Sequence, residues 1–203
     1  MKTNRVLSEK TADPDPFIQF SHWYTEHLNE GIAIPESVTL GTASASGRVS
    51  ARTVLLKSYD RNGFVIFTNY NSKKGEQITE NPFAALLFYW SGSGRQVRIE
   101  GLAVKVPEEE SVAYFSTRPR DSQLSAWASE QSSVIPDRTY LVERQELYRK
   151  KFAGKDVDKP AFWGGFRIIP DFFEFWQERE FRLHDRIAYS RADNTWEINR
   201  LAP

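Results

Sequence analysis

RTVLLKSYDRNGFVIFTNYNSKKG, residues 52–75, is the stretch on which the reading of the whole chain turns. Val54 and Leu56, then Phe64 and Ile66, are apolar at every second position, the period of a half-buried strand. Asp60-Arg61-Asn62-Gly63 separates the two runs. Asn-Gly tolerates the positive φ angles of a tight turn, so the stretch predicts a β-hairpin whose first strand carries residues 52–57. The second strand runs out through Thr68 into Asn71-Ser72-Lys73-Lys74-Gly75, where Ser72 can cap a short helix that ends before Pro82. A helix start offers unpaired N–H groups and a partial positive charge, and lysines on its first turn oppose that charge unless an anion lies between them. Arg52, Lys57, Lys73 and Lys74, with the hydroxyls of Thr68 and Ser72, could converge on one phosphate. A solvated basic helix start beside an ordinary hairpin fits the same residues.

Composition narrows the classes. The 203 residues are 40% apolar and include 14 Phe, 8 Tyr and 6 Trp, enough for a sizeable core. Twenty-seven basic and 27 acidic side chains cancel, which is not the footprint of a general nucleic-acid binder. With no cysteine, disulfides, thiolate catalysis and thiolate metal sites are excluded. The histidines are His22, His27 and His184, too scattered for a histidine-rich metal site, so no metal is expected. No apolar run approaches the roughly 18 residues that span a bilayer. MKTNRVLSEK lacks the apolar core of a signal peptide, and the reading is a cytoplasmic protein.

Outward from the central stretch, residues 1–12 are polar and expected to be mobile, and 13–203 to form one domain. Asp13-Pro14-Asp15-Pro16 opens a helix that carries Phe17, Phe20, Tyr24 and Leu28 at helical spacing. Strands are expected over Ser37–Ala43 and from Arg48 onward. Phe83–Trp90, nearly continuous in apolar residues, reads as a strand buried on both faces. Arg95–Val106 is a long strand bent at Gly101, with Gln96, Arg98 and Glu100 on one face. Helices follow from Glu108, over Ser122–Gln131 and over Asp137–Phe152. Strands return at Phe162–Ile169, Phe172–Gln177, Arg182–Arg191 and Trp196–Leu201, the last after an Ala192-Asp193-Asn194 turn. Six to eight mostly antiparallel strands with grouped helices make an α+β, barrel-like fold.

Three further clusters stand out. Tyr114, Arg118 and Ser122 are spaced i, i+4, i+8, an arrangement that would put two hydroxyls and a guanidinium on one helix face, although Pro119 interrupts the helix. A loop arginine paired with Asp121 is the alternative. Gln131, Ser132 and Ser133 form a polar helix end able to hydrogen-bond a ligand, or an ordinary helix terminus. Arg182, His184 and Arg186 alternate, so on a strand they share one face, and with no acid on that face they point to an anionic ligand. Trp176 and Gln177 add a stacking surface and an amide. Two anion sites without a Ser-His-Asp set, a metal cage or a nucleotide-binding glycine motif suit chemistry supplied by a cofactor.

The chain resembles the pyridoxine/pyridoxamine 5′-phosphate oxidases, flavin enzymes that make pyridoxal 5′-phosphate. The motifs are RTVLLK at 52–57, RQVRIEG at 95–101, RPRDSQ at 118–123, WASEQSS at 127–133, FWGGFR at 162–167, and FWQ with RLHDR within 175–186. The likeness runs from about Asp13 to Pro203. It implies an α+β, mainly antiparallel FMN-binding split β-barrel with peripheral helices, a homodimer with active sites at the subunit interface. It further implies FMN held by Arg52, Thr53, Val54, Leu55, Leu56, Lys57, Phe67, Thr68, Lys73, Lys74, Gln96, Gln131, Ser132, Trp176 and Arg186. The substrate, pyridoxine or pyridoxamine 5′-phosphate, is expected at Lys57, Tyr114, Arg118, Ser122, Arg182, Leu183 and His184, with Arg182 and His184 at the reacting ring and O2 as electron acceptor. Phe67 stands where many members carry Tyr and Lys73 where Arg is common. Relatives often carry an extra segment that folds over the substrate, and little precedes Asp13 here. Two other readings are open: a split-barrel flavin oxidase for another substrate, such as the phenazine-pathway relatives, and a non-catalytic carrier of FMN or pyridoxal phosphate.

Overall fold

A computed structural model describes residues 6–193 and 195–203. The first five residues of the segment expected to be mobile, and Asn194 of the expected turn, lie outside the described residues. Helix α1 spans Pro16–Leu28; strands β1 Ser37–Ala43, β2 Val49–Leu55, β3 Ser58–Asp60 and β4 Gly63–Asn69 follow; then come helix α2 Lys73–Glu80 and strands β5 Phe83–Trp90 and β6 Arg95–Lys105. Helices α3 Glu108–Thr117, α4 Arg120–Ala128 and α5 Arg138–Lys151 precede strands β7 Trp163–Gln177, β8 Asp185–Ala192 and β9 Thr195–Arg200.

The described strands form one antiparallel sheet in the order β2-β1-β5-β6-β7-β4-β3, with β8 on β7 and β9 on β8. Its two ends, β2 and β3, are consecutive in the chain. The sheet therefore curls until they meet, and the result is the split barrel expected of this sequence. The switch lies at Leu56-Lys57. The Leu56 N–H donates to Glu36 O on the β1 side, and the Lys57 N–H donates to Val65 O on β4. The expected hairpin strand over 52–57 is thus corrected. Residues 49–55 pair with β1, and only Ser58–Asp60 forms the hairpin with β4. Its turn is the expected one, with Asp60 opposite Gly63 at φ 133.

Inside the barrel lie Leu40, Phe64, Ile66, Leu86, Phe88, Val97, Ile99, Ile168, Phe173, Phe175 and Tyr189. Helix α1 plugs it. Asp15 caps that helix by accepting from the Phe17 N–H, Pro16 opens it, and Phe20 enters the core fully buried. The Phe20 ring meets Tyr59, Phe64 and Phe88 at centroid distances of 4.9, 4.9 and 5.1 Å. Leu7 is buried in the same core, and Glu9 pairs with Arg200 on β9. A second apolar cluster, Phe115, Leu124, Phe152, Val157 and Trp163, packs α3 to α5 over the start of β7. Among the described residues no helix is long and apolar enough to cross a membrane.

Four further expectations are corrected. Strand β5 buries alternate residues, not both faces: Leu86 and Phe88 point inward while Phe83 and Tyr89 remain 64% and 65% exposed. Residues 163–177 are one strand rather than two. Pro170 falls opposite Gly101 where the β6–β7 register shifts, so it sits in a bulge and breaks no ladder. Helix α4 ends at Ala128, which leaves Gln131, Ser132 and Ser133 in a loop with Ser132 at φ 78. Arg182 belongs to a single 3₁₀ turn, Glu180–Arg182, in which Phe181 and Arg182 have φ of 55 and 61. Strand β8 starts only at Asp185, so the alternation of Arg182, His184 and Arg186 is not a strand alternation.

Candidate active site

A cavity of about 590 Å³ opens between β2, β4 and helices α3 and α4. It is lined by Thr53, Val54, Leu55, Lys57, Phe67, Thr68, Lys74 and Gln131 of the expected cofactor set and by Tyr114, Arg118 and Ser122 of the expected substrate set. Tyr114 lies in the last turn of α3, Arg118 in the break before Pro119, and Ser122 in the first turn of α4. The break does not scatter them, because both helices pack on the same side of the cavity. Asp121, the alternative partner of Arg118, pairs with Arg149.

Lys57, Lys74 and Arg118 bring three cations to this cavity, and among its described lining residues there is no carboxylate. Lys57 Nζ is 3.6 Å from Glu36 Oε1, at the rim. Lys74 Nζ donates to Gln131 Oε1 at 2.9 Å, Thr68 Oγ1 at 3.2 Å and Ser72 Oγ at 3.3 Å. Those bonds tie the loop after α4 to the start of α2, whose Ser72 cap accepts from the Gly75 N–H. Burial, and then the neighbouring Arg52 charge, pull the Lys74 ammonium down to about 8. Arg118 is the most telling group. Burial lowers its guanidinium below the usual range, its Nη1 is buried with no hydrogen-bond partner among the described residues, and its Cζ lies 4.8 Å from the Trp163 ring centroid. A buried unpaired cationic donor is costly unless an anion meets it. Phe67, Tyr114 and Trp163 stand nearly parallel beside it, with Phe67 4.1 Å from Tyr114 and 5.4 Å from Trp163. Trp163 was not among the expected site residues, although it lies inside the FWGGFR motif.

The remaining expected residues lie elsewhere in the chain. Arg52 faces inward at the β1–β2 pairing and donates to Thr42 Oγ1 at 2.5 Å and Gln77 Oε1 at 3.3 Å. Lys73, exposed, faces a separate depression with Arg48, Glu76 and Glu80. The four cations expected on one phosphate are therefore divided. Leu56 is buried in the core, and Ser132 is exposed.

Gln96, Trp176 and Arg186 form a second group. They are direct neighbours across β6, β7 and β8, on the outer face of the sheet. His184 packs on Trp176 at 4.6 Å, and its Nδ1 accepts from the Arg179 N–H at 3.0 Å. That bond leaves the neutral ring its proton on Nε2. Arg182 and Leu183 are exposed. The outer face does carry an acid: Glu174 accepts from Arg98 and Arg186, each at 2.7 Å. The expectation of an acid-free face fails because Glu174 lies twelve residues away in sequence and adjacent only across the sheet. Thr53 and Leu55 share this outer face, with Val49 83% exposed on the same strand. Beside them an apolar groove of about 610 Å³ runs along Ala51, Phe83, Ala85 and Gly101.

Comparison with known proteins places this architecture. Residues 24–150 match the family described as pyridoxamine 5′-phosphate oxidase. Residues 163–203 match a pyridoxine 5′-phosphate oxidase C-terminal dimerisation region. A pyridoxine/pyridoxamine 5′-phosphate oxidase of Rippkaea orientalis is 52% identical over 202 residues, covering 99% of this chain and 95% of the relative. One from Rubrobacter xylanophilus is 51% identical, covering 99% and 93%. Among solved structures, PhzG from Burkholderia lata, in complex with tetrahydrophenazine-1-carboxylic acid, superposes with a TM-score of 0.92 at 28% identity over the full length of both chains. An FMN-binding protein related to pyridoxamine 5′-phosphate oxidase, from Nostoc punctiforme, shares the fold with a TM-score of 0.74 at 16% identity, covering 93% of this chain and 98% of that one. The chain belongs to the pyridoxamine 5′-phosphate oxidase family.

Proposed function

Within that family, we propose that this protein oxidises pyridoxine or pyridoxamine 5′-phosphate to pyridoxal 5′-phosphate as an FMN-dependent homodimer, with O2 reduced to H2O2. The observation that carries the reading is Arg118, whose buried, unpartnered Nη1 lies beside three parallel aromatic rings in a cavity without a lining carboxylate. A phosphorylated aromatic ring meets every feature of that site. Lys74 at the start of α2, with Thr68 and Gln131 bonded to it, offers a second polar cradle, and Lys57 lines the same cavity. FMN, when bound, supplies the acceptor for the hydride that leaves the substrate's C4′ carbon, and O2 takes the electrons onward.

The chain's own residues hold and orient. Arg118, Ser122 and Tyr114 fix the substrate phosphate. Lys74, Thr68 and Gln131 hold the cofactor phosphate. Arg182 cannot serve as a base, since a guanidinium stays protonated. His184, with Nδ1 engaged by the Arg179 N–H, offers Nε2–H as a donor, so both groups steady the ring's polar substituents. Because Gln96, Trp176, His184 and Arg186 lie outside the cavity of their own chain, a second copy covers the apolar outer face and completes the site. The match to a dimerisation region supports that arrangement.

The test mixes purified protein with FMN and each B6 phosphate in air and follows aldehyde and peroxide. Stoichiometric formation of both, lost in Arg118→Met, is expected. The ligand seen with the Burkholderia protein is a carboxylate with no phosphate, so a reduced phenazine carboxylate is the control substrate. Turnover of that compound but of neither B6 phosphate would refute the proposal.

A further inference from the structure

The outer-face arginine of the cofactor set, Arg186, is held by groups that have no place in the site described so far. Its Nε donates to Glu174 Oε1 at 2.7 Å, and its Nη1 donates to the Ala202 carbonyl at 2.7 Å. The backbone beneath it is pinned as well, since the Leu201 N–H donates to Arg186 O at 3.0 Å. Two of the three guanidinium nitrogens are thereby fixed, and only Nη2 has no protein partner among the described residues. Glu174 is itself 3% exposed, covered by the two arginines it serves. Its other oxygen, Oε2, takes Arg98 Nη2, and Arg98 is steadied in turn by Glu100.

A buried carboxylate in the middle of an outer sheet face is expensive to keep there. Apolar residues would fill such a position at less cost. Burial pushes the Glu174 carboxyl up, and the hydrogen bonds from Arg186 and Arg98 more than reverse this, leaving it below the ordinary range. The bond to Glu174 raises the Arg186 guanidinium correspondingly. What the arrangement secures is direction. Arg186 lies directly opposite Trp176 in the β7–β8 register, and Trp176 opposite Gln96 in the β6–β7 register, so the three form one row across the sheet. A free arginine side chain samples many rotamers, and this one presents a single N–H pair from a fixed plane.

We propose that Glu174 is a positioning residue for FMN: with the Ala202 carbonyl it locks the Arg186 guanidinium so that Nη2 alone faces the bound flavin. The inference rests on the proposed function only in taking Arg186 to face FMN. Glu174→Gln keeps the size but offers a single carbonyl oxygen to two guanidinium groups and turns an NH2 toward the other. One arginine then loses its partner. Arg98 retains Glu100, so the loss falls on Arg186.

The experiment is a double-mutant cycle on FMN affinity, read by flavin fluorescence quenching on apoprotein, with folding of each variant checked by circular dichroism. Glu174→Gln is expected to weaken FMN binding about tenfold, the scale of one charge-assisted hydrogen bond. In an Arg186→Lys background, where Nε and the planar fork are absent, Glu174→Gln is expected to change affinity less than twofold. Should Glu174→Gln fail to fold, Glu174→Asp keeps the charge with a shorter reach and enters the same cycle with the same expected coupling. Additive losses would show that Glu174 acts on the sheet in general and would overturn the inference. A wild-type protein that binds no FMN would refute the proposed function and this inference with it, whereas tight wild-type binding with additive losses refutes this inference alone.

Discussion

Lys74 makes the anion site measurable through pH. Burial and the Arg52 charge bring its ammonium to about 8 in the free protein, against 10.5 for an exposed lysine. A phosphate seated at the start of α2 restores the charged form, so FMN binding takes up a proton wherever the free Lys74 is neutral. At pH 7 about nine-tenths of free Lys74 is charged, and at pH 9 about one-tenth. Affinity should therefore fall about tenfold between those pH values, or about 1.4 kcal/mol. The phosphate ionises its second proton near pH 6, below this window, and does not confuse the slope. The stability linkage differs between the two forms. The folded apoprotein binds fewer protons than the unfolded chain between about 8 and 10.5, so Lys74 makes apoprotein stability rise with pH there, while the FMN-bound form loses that rise. The assay is FMN fluorescence quenching at pH 7, 8 and 9 on wild type and Lys74→Met. The expected outcome is a tenfold loss in the wild type and a weaker, flat response in the variant. A wild-type affinity that does not vary over this range, or a Lys74→Met protein with the same slope, would refute the assignment of the cofactor phosphate to this site.

Other outcomes follow from the packing. Arg118→Met removes the unpartnered buried donor without emptying the space over Trp163, and should raise the KM for the B6 phosphate at least tenfold while leaving FMN affinity within twofold, measured by steady-state kinetics and quenching titration. Ala85→Glu places a charge in the apolar outer groove; light scattering should show a monomer that retains its strand spectrum but binds FMN weakly. Gly101→Ala would bring a Cβ within 2.0 Å of the Ile169 carbonyl at the β6–β7 bulge, and the melting temperature should fall by an amount corresponding to about 2 kcal/mol. Stability should also be lost as pH falls below about 4.5, because Glu174 is held below its ordinary range when folded: the folded state then binds fewer protons than the unfolded chain. Glu174→Gln should flatten that limb of the acid denaturation curve.

Much of this molecule is legible in its sequence where the physics is short-range. The Asn62-Gly63 turn, the Ser72 cap and the Asp15-Pro16 helix start depend on residues within a turn of one another, and each is found where its residues predict it. The i, i+4, i+8 set Tyr114, Arg118 and Ser122 likewise reaches the cavity despite the break at Pro119. Only the tertiary structure decided the rest. Leu56-Lys57 changes strand partner because the barrel closes there, which no local period records. Phe83 and Tyr89 read as core by composition, yet they line an outer face whose burial depends on what lies against it. Lys73, next to Lys74 in the chain, faces a separate depression because successive helix residues point in different directions, and Arg52, near Lys74 in space, is engaged by Thr42 and Gln77. Glu174 reaches Arg186 only through the β7–β8 register, and the Arg182-His184 alternation fails because two left-handed residues end the strand pattern. Turn chemistry and periodicity are properties of neighbours along the chain, whereas charge pairing, exposure and the meeting of two binding groups depend on strands brought together from opposite ends of it.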